Sequence, residues 1–143
     1  MKNKSFLPLL EQVIMVLFFA LAAAVCLLVF SHASEISNNS EALDLAVVCA
    51  QNTAETLKST KGDLESAALL LTGTSDAYTL KLYATADGSF VKSSHESIKL
   101  DLIATKFTCP NPYFEGALIC VYDQKGACIY ELEVHWQKEV TNE

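Results

Sequence analysis

Basic residues are scarce in this chain: ten lysines and arginines stand against seventeen aspartates and glutamates, a formal net charge of -7. No positive patch with interleaved aromatics occurs, so the electrostatic footprint of a nucleic-acid binder is missing and no nucleic-acid partner is expected. Catalytic signatures are missing too. The chain has no H-E-x-x-H, no G-x-S-x-G and no phosphate loop, and its histidines, His32, His95 and His135, are scattered. His95 falls in a polar turn beside Glu96, and His135 on the wet face of a strand pattern. Neither catalysis nor a cofactor is expected. None of the cysteine spacings matches a paired C-x-x-C zinc pattern, so no metal site is expected either.

Charge is absent from one long stretch as well. Leu7 to Phe30 is apolar with a single ionisable carboxylate, Glu11, near its start. As a helix this run rises roughly 36 Å at about 1.5 Å per residue, enough to cross a hydrocarbon core of about 30 Å. Lys2 and Lys4 precede it, whereas Glu35, Glu41 and Asp44 are the first charges after Glu11. By the positive-inside rule the N-terminus is expected in the cytoplasm and the remainder outside, a single-pass arrangement in the cell membrane. About 110 residues are left for the outer part, enough for one domain and not two. A carboxylate inside or at the edge of a bilayer costs up to about 3 kcal/mol, so Glu11 calls for either a headgroup position or a function.

The residues Ser5-Phe6-Leu7-Pro8-Leu9-Leu10-Glu11-Gln12-Val13-Ile14 resemble the start of bacterial type IV pilins and pseudopilins, which join a short basic leader, a cleavage site, a few apolar residues, a glutamate and one long apolar helix. The resemblance covers about thirty residues. It implies that Glu11 meets the free N-terminal amine of a neighbouring subunit as helices stack, an opposite-charge pair strengthened by low dielectric. It also implies a processing site at Phe6 and Leu7, partnership with other pilin-like subunits and an assembly platform besides the lipid bilayer, and a surface filament after processing. The family's residue before the cut is normally glycine. Here that place holds Phe6, or Ser5 in a register shifted by one. Without the cut no new amine arises there, and the chain would remain an uncleaved single-pass protein with an outer ligand- or partner-binding domain.

Two further targeting readings stand beside this one. Ser31-His32-Ala33 has the small-x-small form of a signal peptidase site, with release of a secreted domain beginning at Ser34. The apolar run is longer than the usual segment of about 7–15 residues before such a site. A lipobox ending at Cys26 would need a small residue where Val25 stands.

Beyond the apolar run, Ile36, Leu43, Ala46, Val47, Ala50, Ala54 and Leu57 recur at three- and four-residue spacing, a helical stripe running to about Lys61. Gly62 supplies the left-handed stop. A second short helix is expected over Asp63 to Leu71, with Asp63 as N-cap, Gly73 as stop and Ala67 to Leu71 buried. The period then changes to two. Tyr78, Leu80, Leu82 and Ala84 alternate with polar positions, as do Ile98, Leu100, Leu102 and Ala104. Asp87-Gly88 signals a hairpin within Tyr78 to Lys92. Asp123 to Gly126 signals another, with Asp123 opposite Ala127 and Tyr122 opposite Cys128. That register sends Leu118, Cys120 and Tyr122 inward with Cys128, Tyr130, Leu132, Val134 and Trp136, and sends Glu131, Glu133 and His135 outward.

The fold class is therefore α+β: a long N-terminal helix, half transmembrane and half amphipathic, packed on a small antiparallel sheet of about four strands. The expected segments are a basic leader (1–6), a transmembrane helix (7–34), an extracytoplasmic half-helix (35–61) and a globular head (62–143). This order is also that of the pilin and pseudopilin head. Tyr83, Tyr113, Phe114 and Trp136 are candidates for a binding surface, as is the loop Cys109 to Glu115. Of the five cysteines, Cys26 lies in the apolar run as a small filler. Cys49, Cys109, Cys120 and Cys128 are candidates for disulfides in an oxidising compartment, with three pairings open. Cys120 and Cys128 are diagonal in the expected register, which strains a direct bridge. One bridge from Cys109 to a core cysteine and four free thiols both remain open.

Overall fold

The computed structural model describes residues 6–92 and 97–138. Residues 1–5 of the basic leader, with Lys2, Lys4 and Ser5, and the expected turn holding His95 and Glu96 lie outside the described residues. The chain divides into two compact units, Met1–Glu41 and Ala42–Glu143.

Helix α1 spans Phe6–Ser59 without interruption. Pro8 falls in its first turn, where backbone N–H groups have no partner within the helix, so the missing donor costs nothing. The far end closes by a paired hydrogen-bond motif, Gly62 N donating to Leu57 O at 2.8 Å and Lys61 N to Lys58 O at 3.1 Å. Both Lys61 (φ 53°) and Gly62 (φ 79°) are left-handed, so the helix stops two residues before the expected Lys61.

The second unit contains α2 (Leu64–Leu70) and six strands: β1 (Thr74–Ser75), β2 (Thr79–Thr85), β3 (Phe90–Val91), β4 (Ile98–Thr108), β5 (Phe114–Tyr122) and β6 (Cys128–Gln137). They form one antiparallel sheet in the order β1-β2-β4-β5-β6, with β3 also on β2. The α+β class holds, with six strands in place of about four, because the two-residue strands β1 and β3 share one edge of β2 and leave no periodic signal. Asp63 caps α2 as expected, its side chain accepting from Glu65 N. The left-handed residue after α2 is Thr72 (φ 58°), one place before the expected Gly73. Gly73 serves close approach instead, since a Cβ there would fall 2.3 Å from Leu82 Cδ2.

The core joins one stripe of α1 to one face of the sheet. Ala46, Cys49, Ala50, Ala54 and Leu57 pack with Leu80, Leu82, Leu100, Leu102, Ile119 and Val121, all buried. Thr53 completes the stripe, its buried hydroxyl donating to Cys49 O at 2.8 Å. Ile36 and Leu43, counted into the stripe by spacing, are exposed at 59% and 44%. In α2 only Leu64, Ala67 and Ala68 are buried, whereas Leu69 and Leu70 point outward. A seven-residue helix lying on a core buries one face, and the expected run Ala67 to Leu71 goes all the way round it.

Both hairpins close with the same three-residue loop. Thr85 N donates to Ser89 O and Gly88 N to Thr85 O; Asp123 N donates to Ala127 O and Gly126 N to Asp123 O, all at 3.0 Å. Gly88 and Gly126 take positive φ, as this loop requires. Tyr122 faces Cys128 as expected, but the register shifts by one immediately afterwards, so that Val121 pairs with Tyr130 and Cys120 with Glu131. Ile129 is the extra residue of a β-bulge. The expected inward set on β5 is thereby corrected: Ala117, Ile119 and Val121 are buried, and Leu118, Cys120 and Tyr122 lie on the opposite face. Cys128, expected inward, is exposed, whereas Tyr130, Leu132, Val134 and Trp136 do face the core side.

Candidate functional site

In the first unit, α1 presents an apolar surface that the chain itself leaves uncovered. From Leu9 to Phe30 every large apolar side chain described as exposed shows 46% or more of its surface, and none of the most apolar window is buried. The helix is long and apolar enough to cross a membrane. Glu11 lies on it, exposed, one turn from Ile14 and Met15, and among the described residues no ion pair reaches it. Phe6 and Leu7 are its first two residues. Ser31, His32, Ala33 and Ser34 are all within the continuous helix, where His32 Nδ1 lies 3.9 Å from Glu35.

The five cysteines are all unbridged. Cys26 is exposed on α1. Cys49 is fully buried against the β2–β3 turn, its Sγ 3.9 Å from Gly88 O, and burial pushes its thiol up. Cys109 is buried in the β4–β5 connection. Only Cys120 and Cys128 come together. On the outward face of the β5–β6 hairpin, their sulfurs and a carboxylate oxygen of Glu131 all lie within 4.8 Å of one another. Burial pushes the Cys120 thiol up, while a hydrogen bond with Tyr122 acts in the opposite direction.

A second polar cluster closes the other end of the sheet. Glu115 lies 3.4 Å from Lys106 Nζ and 3.5 Å from Lys138 Nζ. Burial alone would push the Glu115 carboxyl up, but the two ammonium groups outweigh it and hold the group below the ordinary carboxylate value. The Lys106 ammonium also sits 5.8 Å from the Trp136 ring centroid, a cation–π distance. A cleft of about 460 Å³ beside this cluster is lined in part by Tyr78, Cys109, Pro112 and Phe114. Trp136, a candidate for a binding surface by sequence, is buried with 6% of its surface exposed, while Tyr113 and Phe114 are exposed.

Sequence reasoning missed Glu131 as a neighbour of the two thiols and Glu115 as the centre of a lysine pair. The first depends on the Ile129 bulge. The second depends on β4 and β5 extending to Thr108 and Phe114, beyond the alternation that marks their centres. Comparison of the chain with family models, with curated proteins and with solved structures finds no match.

Proposed function

We propose that the chain is a membrane-anchored, pilin-like assembly component, a minor pilin or pseudopilin of a type IV filament or secretion pseudopilus. The single observation that carries this reading is the uncovered apolar length of α1 bearing one carboxylate, Glu11, near its start. Apolar surface of that extent has to be covered by lipid or by other apolar helices. A lone carboxylate in such surroundings is stabilised by a cation, and in this reading the cation is the N-terminal amine of a neighbouring copy. The antiparallel sheet packed on the last turns of the same helix is the head. The N-terminus lies in the cytoplasm before processing and the head outside.

The test is the mature N-terminal residue, read by intact mass and peptide sequencing of protein taken from membranes, together with crosslinking of membranes carrying Glu11→Ala. A start at Phe6 or Leu7 and loss of crosslinked oligomers in the variant, with the head still folded, are the expected results. Oligomers unchanged by Glu11→Ala would remove the role given to that residue. Phe6, standing where the family has glycine, favours a second reading in which the start is Met1 and the chain is an uncleaved anchor for an outer binding domain. Soluble head beginning at Ser34 in the medium would replace both.

A further inference from the structure

We propose that Cys120, Cys128 and Glu131 form a surface site for one thiophilic divalent cation of the zinc and cadmium class. The three ligand atoms lie within 4.8 Å of one another. In tetrahedral zinc sites, bonds of about 2.3 Å to sulfur and about 2.0–2.2 Å to carboxylate oxygen put ligand atoms roughly 3.4–3.8 Å apart. The spacing in the structure therefore exceeds that of a closed site by at most about 1–1.4 Å. Two sulfurs and one oxygen leave a fourth, solvent-facing position for water.

The backbone brings this set together in three steps. The turn closed by Gly126 places Cys128 opposite Tyr122, and two residues back along β5 Cys120 lies on the same face. In an unbulged hairpin the residue opposite Cys120 would be Tyr130. The extra residue Ile129 puts Glu131 there instead, so a carboxylate joins the face that carries both thiols.

The pair is better placed for a shared ion than for a disulfide. Cys120 and Cys128 are diagonal neighbours across β5 and β6, a relation with Cα atoms about 7–8 Å apart, whereas disulfides span about 4.4–6.8 Å. Thiolates also select against magnesium and calcium, which prefer oxygen.

Full-length protein in detergent, reduced and then freed of reductant under anaerobic conditions, is titrated with Cd²⁺ alone while the ultraviolet thiolate-to-cadmium charge-transfer band is followed. One equivalent is expected to saturate the band, with excess Ca²⁺ leaving it unchanged. Cys120→Ser and Cys128→Ser each abolish it, Glu131→Gln weakens binding about tenfold or more, and Cys26→Ser binds as the parent does. The first three substitutions lie on the outward face, and circular dichroism matching the parent verifies that each variant is folded. Absence of a saturable band with both thiols reduced overturns the site. So does a band that survives Cys120→Ser and Cys128→Ser, binding unaffected by Glu131→Gln, or isolated protein already carrying a Cys120–Cys128 disulfide. The outcome is independent of whether Glu11 mediates assembly.

Discussion

The Trp136 indole occupies the space that a side chain at Gly62 would need: a Cβ there would fall 2.3 Å from Cζ2 and 2.5 Å from Nε1. The stop after α1 and the last strand of the sheet thus meet through a residue with no side chain. Gly62 is also left-handed at φ 79°, so substitution carries a backbone cost besides the clash. Gly62→Ala is expected to destabilise the second unit by about 2–5 kcal/mol, from about 1–2 for the left-handed alanine and about 1–3 for overpacking. Urea unfolding followed by Trp136 fluorescence measures it, and a loss no larger than the backbone cost of about 1–2 kcal/mol would mean that the indole swings clear.

The stripe of α1 that meets the sheet is built from small residues, with Ala46, Ala50 and Ala54 on one line. Small side chains let the helix backbone come close to the sheet, leaving no room for growth. Ala50→Leu is expected to cost about 1–3 kcal/mol. Val48 lies two residues away on the same helix but is 50% exposed, and Val48→Ser is expected to stay within about 0.5 kcal/mol. Thermal unfolding of the two variants side by side decides the helix face, and equal losses would reject it.

That face shows how far the sequence carries. Ala46, Ala50, Ala54 and Leu57 were legible from their spacing because one buried stripe forces a 3.6-residue period. Leu80, Leu82, Leu100 and Leu102 were legible because a half-buried strand forces a period of two. Both hairpin loops were legible from Asp-Gly and from Lys-Gly, since each loop needs one left-handed residue. The faces of β5 were not. Leu118, Ile119, Cys120 and Val121 are apolar on both sides, so their parity came from the hairpin alone, and one bulged residue at Ile129 reverses it. The cluster of Cys120, Cys128 and Glu131 depends on that same residue. The Phe107–His135 ring contact, at 5.6 Å, was hidden for a related reason. It crosses Gly116, where a Cβ would fall 2.7 Å from Phe107 Cζ, and no local pattern marks a glycine that two flanking strands close over.

Acid is expected to weaken the second unit through Glu115. Its folded pKa lies below the ordinary value because Lys106 and Lys138 outweigh the opposing effect of burial. A depressed carboxylate contributes stability that is fully present above the unfolded pKa of about 4.3 and is lost as pH falls through the folded value. The stability difference between the parent chain and Glu115→Gln should therefore be constant near neutrality and shrink from about pH 5 downward. Denaturant titrations at several pH values measure it. A difference that grows in acid would show that the lysine pair does not hold the carboxylate ionised.

Two positions run against the rule that left-handed residues are glycine, Lys61 and Thr72, and the second offers a gain. Thr72 follows α2 with φ 58°, while the next residue, Gly73, donates from its N–H to Ala68 O at 2.9 Å and closes the helix. A β-branched residue in this conformation stores about 1–2 kcal/mol of strain that glycine would release. Glycine also gives the unfolded chain more freedom, which takes back about 0.4–1 kcal/mol. Thr72 is exposed, so its side chain has little packing to lose. Thr72→Gly is expected to stabilise the second unit by up to about 1.6 kcal/mol, seen as a higher urea midpoint with an unchanged slope. Gly73→Thr is expected to do the reverse, because a Cβ there meets Leu82 Cδ2 at 2.3 Å and Lys81 O at 2.7 Å. A lower midpoint for Thr72→Gly would mean that the threonine is held by more than the helix stop.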